Sequence, residues 1–122
     1  MSPRTLARTM AIGRIAIGGA LVIAPAAVAR RWIGADGDRE SVQVMARALG
    51  VRDLVLGLIA LHTLDHSEVG PRWQRTLAAC DLVDLTATVV GRNALPAAGA
   101  AGTVALAGGA AAVELWAAGK LG

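Results

Sequence analysis

The sequence predicts an all-α fold, a four-helix transmembrane bundle with up-down-up-down topology. Three observations predict it. Hydrophobic residues make up 55% of the 122 residues, yet Phe and Tyr are absent. The apolar mass is Ala, Leu, Val, Ile and Gly, a mixture that lets helices approach closely in lipid. Apolar stretches near the ~20 residues that a bilayer requires recur along the chain. Short polar turns separate them, which makes consecutive helices antiparallel neighbours. The length suits one domain, and no strand-like alternation interrupts the pattern.

The first span is expected over about 11–30. Ile15 to Ala29 carries no charge, and Arg30, Arg31 and Trp32 follow as an interfacial anchor would. The same stretch also reads as a secretory signal, with a basic start and Ala27-Val28-Ala29 before Arg30. A span is preferred, because the remaining chain is still hydrophobic enough to need a bilayer.

Residues 34–41 read as a loop in which Asp36 or Asp38 caps the next helix, with Glu40 in its first turn. The second span covers 40–63 and contains Gly50 and Gly57. A polar turn from Asp65 to Pro71 leads into the third, 72–91, with Pro71 at its first helical position. Gly91-Arg92-Asn93 ends it, and Pro96 opens the fourth, 96–118. The fourth is the clearest, with 21 consecutive uncharged residues from Asn93 to Val113. Small residues recur there at four-residue spacing, Ala101, Ala105 and Gly109 on one line and Gly99 and Thr103 on another, a pattern of tight helix contacts in lipid.

Five charges fall inside these apolar segments: Arg47, Arg52 and Asp53 in the second, Asp81 and Asp84 in the third. Each would cost roughly 2.5–3.5 kcal/mol at the centre of a membrane helix. They must therefore neutralise one another, face water or do chemistry. At ~100° per residue, Asp81, Asp84 and Thr88 share one stripe about 60° wide, which should face the bundle interior. Arg47, Gly50, Asp53 and Gly57 share a broad face of the second segment, and Arg52 points elsewhere. Three accounts of Arg52 are open: its long stem reaches around, Gly50 interrupts and rotates the helix, or Arg52 meets a partner subunit. Arg47 and Arg52 against Asp53, Asp81 and Asp84 leave a formal charge of −1, to be met by a proton, by Arg14 or by a bound cation.

Other features exclude more than they suggest. The net charge of +3 is scattered, without interleaved aromatics, which argues against a nucleic-acid partner. The single cysteine, Cys80, allows no intramolecular disulfide and reads as a small buried hydrophobe. His62, Asp65 and His66 have ligand-like spacing, but they lie at a helix end where His simply favours the negative dipole. No metal site and no cofactor is expected. The sequence carries no HExxH, paired CxxC, phosphate loop or GxSxG elbow. Glu114 reads as interfacial, or as a partner for a basic side chain.

Gly19-Ala20-Leu21 with Pro25, Arg31-Trp32-Ile33-Gly34, the block Arg47-Ala48-Leu49-Gly50-Val51-Arg52-Asp53-Leu54-Val55-Leu56-Gly57, and Asp81 with Asp84 together resemble a family of small four-helix integral membrane proteins of bacteria and fungi, a domain of unknown function. The resemblance covers most of the chain. It implies four spans and no cleavage after Ala29, and it brings no activity or ligand.

The expected function is that of a small multi-pass cell-membrane protein acting through helix packing around the Arg/Asp cluster. Its partners would be the lipid bilayer and either a second copy of itself or a larger membrane complex. The alternatives are a binding or transport unit for a proton, ion or small polar ligand, and an intramembrane enzyme on a lipid-soluble substrate, for which only the acidic pair speaks. A water-soluble helical bundle is the remaining rival. Basic residues outside the apolar stretches favour cytoplasmic termini by six to four.

Overall fold

The computed structural model describes residues 1–121, which form five α-helices and no strand. They are α1 (Pro3–Ile23), α2 (Pro25–Ile33), α3 (Glu40–Thr63), α4 (Val69–Val90) and α5 (Ala97–Leu121). At ~1.5 Å per residue the four long helices run about 31–38 Å, the thickness of a bilayer core or more. Two of them, α1 and α5, are long and apolar enough to cross a membrane. α3 and α4 have similar length but carry Arg47, Arg52 and Asp53, and Arg72, Arg75, Asp81 and Asp84, respectively.

The first segment departs from the expected 11–30. The helix begins at Pro3, where Ser2 Oγ accepts the Thr5 N–H at 3.1 Å and proline occupies the first turn without losing a bond. It then ends at Ala24, because Pro25 has no N–H and its ring blocks a continuing helix. The short α2 restarts on Pro25 and stops at Gly34, whose φ of 84° a residue with a side chain rarely adopts. The expected cap on α3 is also absent. Asp38 pairs with Arg30 at 2.9 Å and Asp36 with Arg39 at 3.2 Å, so neither carboxylate reaches the α3 N-terminus. Pro71 falls third in α4, still within the turn that tolerates proline.

The helices pack as two antiparallel pairs, α1 with α3 and α4 with α5. Arg4 meets Asp65 at one end of the first pair, and Arg47 meets the Val22 carbonyl at the other. Backbones nearly touch between them. A Cβ on Gly18 would lie 2.5 Å from the Gly50 carbonyl oxygen and 2.6 Å from Leu54 N. α3 runs unbroken through Gly50, so this glycine serves close approach and not a helix distortion.

The interior is built mainly from alanine, including Ala7, Ala11, Ala60, Ala78, Ala111 and Ala117, with Leu21, Leu64 and Leu77 the buried leucines. The larger apolar side chains point outward. Ile12, Val51, Val55, Leu58, Leu82, Val83, Val104 and Leu115 are all exposed.

Candidate functional site

Ionisable groups gather at the meeting of the two pairs, with Arg14 of α1 as the hub. Its Nη2 donates to Asp81 Oδ2 of α4 at 2.6 Å and to Glu114 Oε1 of α5 at 2.9 Å, and its Nη1 reaches Asp53 Oδ1 of α3 at 3.5 Å. One guanidinium thus binds a carboxyl group from each of the other three long helices. Its planar fork of five donors suits that task, where a lysine ammonium would not span it. Beside it, Arg52 Nη2 donates to Asp84 Oδ2 at 2.7 Å and lies 3.6 Å from Asp53 Oδ1.

Four of the five residues singled out by sequence therefore assemble: Arg52, Asp53, Asp81 and Asp84. Arg52 reaches α4 along its own stem, without a helix break or a partner chain. Arg47 does not join them. It is exposed, and its Nε donates to the Val22 carbonyl at 3.3 Å, near the carbonyls that the break at Pro25 leaves at the α1 C-terminus. A cation there satisfies an orphan acceptor and favours the negative end of the helix dipole. Arg47→Met is accordingly expected to cost only about 0.3–1 kcal/mol and to leave the cluster intact, measured as midpoint of detergent-induced unfolding against wild type.

Of the two readings of Glu114, the structure bears out the partner for a basic side chain and not the interfacial position: the side chain is 1% exposed, pairs with Arg14 and completes the cluster. Two arginines now face four carboxyl groups, a formal charge of −2. Glu114 Oε2, Arg52 Nε and Trp32 Nε1 are buried without a hydrogen-bond partner. Orphaned polar atoms at such depth carry a desolvation cost that a bound group would relieve.

A cavity of about 700 Å³ opens onto the cluster. Asp53, Asp81, Asp84 and Arg14 line its polar side, and Leu21, Ile17, Leu49, Leu106 and Ala107 its apolar walls. Its volume lies within the ~300–1,000 Å³ of small-molecule sites, which combine such apolar walls with a few convergent polar groups.

The His62 and His66 rings lie 6.0 Å apart, but Asp65 between them is engaged by Arg4. Among the described residues no set of three or more His, Cys, Asp or Glu side chains is placed to hold a metal ion. Comparison with protein-family models, with curated proteins and with solved structures finds no match to this chain.

Proposed function

We propose that the protein is a four-span membrane protein in which the Arg/carboxyl cluster is a binding site for a proton and a small ligand. The observation that carries this reading is the cavity that reaches Asp53, Asp81 and Asp84. A cluster that served only as a brace would be sealed. The bilayer setting is supported by the inversion of the bundle, with alanine and ionised groups inside and Val, Leu and Ile outside. In a core helix of a water-soluble protein most residues are buried, whereas the most apolar stretches of α1 and α5 have 22% and 28% of their residues buried. α3 and α4 would cross beside them, with Arg52, Asp53, Asp81 and Asp84 paired inside the cluster. The resemblance carried by the Arg47–Gly57 block points the same way.

The test uses carbodiimides, which add to protonated carboxyl groups. In liposomes carrying the protein, the lipid-soluble dicyclohexylcarbodiimide is expected to modify Asp84 or Asp53, located by peptide mass mapping. A water-soluble carbodiimide is expected to modify only loop carboxylates such as Asp36 and Asp65. Equal reactivity of cluster and loop carboxylates toward both reagents would sink the reading, as would release of the chain from membranes by alkaline carbonate.

One observation favours a second reading, assembly. Ala101, Ala105 and Gly109 lie exposed along α5, and a Cβ on Gly109 would meet nothing within 4 Å. The Gly99/Thr103 line, by contrast, turns toward the bundle: Gly99 is buried and abuts the Trp32 carbonyl. A small-residue face open to lipid fits a second copy of the chain. A strictly monomeric mass in mild detergent would end this reading.

A further inference from the structure

The cavity has a side opening and a net charge, and together they define a ligand class. α1 and α5 touch at one end, where Ala7 and Ala117 pack with Leu64. At the other end α2 closes the gap, with Gly99 set against the backbone of Trp32. Ala87 of α4 is an exposed lining residue, and those of α1 and α5 include Gly13 and Ile17 on one side and Gly102 and Leu106 on the other. They frame a window in the side of the bundle, at the level where a surrounding bilayer presents acyl chains. A molecule entering there must be soluble in lipid.

The formal charge of the groups beyond the window is negative. Arg14 and Arg52 pair with Asp53, Asp81, Asp84 and Glu114, and the two arginines fall two short of the carboxyl groups they face. Glu114, almost wholly buried, still has Oε2 without a partner. Asp84 is the most accessible of the four carboxylates, its side chain 34% exposed against 14% for Asp53 and 8% for Asp81. Arg31 of α2 also lines the cavity and is exposed, and with it the lining carboxyl groups Asp53, Asp81 and Asp84 still outnumber the lining arginines Arg14 and Arg31. An anion would have to approach through apolar walls toward an excess of carboxylate. A cation with an apolar body matches both parts.

We propose that the cavity binds a lipophilic organic monocation, taken laterally from the bilayer between α1 and α5, with its charged centre at Asp84 and Asp53. This rests on the reading of the cluster as a binding site. Trp32 also lines the cavity, and indole is a side chain that attracts quaternary cations.

The probe pair is tetraphenylphosphonium and tetraphenylborate, alike in size and shape and opposite in charge. Equilibrium dialysis with the full chain in nanodiscs is expected to give saturable binding of the cation and none of the anion. Asp84→Asn is expected to weaken cation binding by about tenfold or more, while Asp65→Asn in the α3–α4 turn leaves it unchanged. Gly102→Leu provides a second arm that leaves the cluster alone. A Cβ there meets nothing within 4 Å, so the fold accommodates the side chain while the window narrows, and binding is expected to fall as far. Equal binding of both probes, or wild-type affinity in Asp84→Asn, would overturn the cation assignment, and wild-type affinity in Gly102→Leu would overturn the seat between α1 and α5. Absence of cation binding with carbodiimide labelling of Asp84 or Asp53 intact would reject the ligand class and leave the site standing. Loss of both would reject the site itself.

Discussion

Arg14→Met is expected to remove about 3–5 kcal/mol of folding stability, the loss that follows when one partner of a buried ion pair is deleted. Arg14 is 10% exposed at its side chain and holds three carboxyl groups. Without it, Asp81, Asp53 and Glu114 face one another with Arg52 as the remaining cation. Arg14→Lys should lose less than Arg14→Met but not restore the wild type, because a compact ammonium cannot span three acceptors on three helices. Adding Glu114→Gln to Arg14→Met should recover part of the loss, since it removes one of the stranded charges. The measurement is helicity by circular dichroism across a titration from mild to denaturing detergent. A single Arg14→Met variant as resistant as wild type would disprove the hub.

Gly18→Leu is the second large effect, expected at about 1–3 kcal/mol or more. The obstacle is backbone and not a flexible side chain: the Gly50 carbonyl, Leu54 N and, at 3.2 Å, the Asp53 carbonyl carbon all lie within reach of a Cβ. α1 and α3 would have to separate, and the separation would displace Arg14 from Asp53. Gly19→Leu is the matched control, on the neighbouring face where a Cβ meets nothing within 4 Å. It should match wild type or exceed it slightly, because leucine favours the helix over glycine. Equal behaviour of the two variants in the same detergent titration would remove the close crossing as a source of stability.

Much of this arrangement is legible in the sequence where local periodicity carries it. Asp81 and Asp84 share a stripe because α4 is regular, and both stand in the cluster. Helix bounds for the second, third and fourth segments come close to the expected ones, because turns with proline, glycine and polar residues mark them. The first segment misled because an uncharged run was weighed above Pro25, whose missing N–H ends α1 regardless of hydropathy. Arg47 misled for a different reason. A helical wheel places it on one broad face with Asp53, but the wheel says nothing of height, and Arg47 stands almost two turns nearer the end where α1 breaks. Glu114 was placed by its distance from the chain end. α5 continues to Leu121, two further turns, which carries Glu114 into the interior. Arg14 was legible as a candidate counter-charge; its role as hub depends on four helices meeting at one point, which no single segment encodes.

The hub also has a history in time. Arg14 is made first, and its partners follow 39, 67 and 100 residues later. In a bilayer, α1 therefore enters with an arginine whose counter-charges are not yet synthesised, at a cost of roughly 2.5–3.5 kcal/mol if it sits at the membrane centre. Asp53 relieves that cost in part when α3 arrives, and Glu114 completes the set only with α5. In that bilayer setting a chain halted before its last helix would keep an unfinished ion cluster, a distinction a quality-control protease could read as incompleteness.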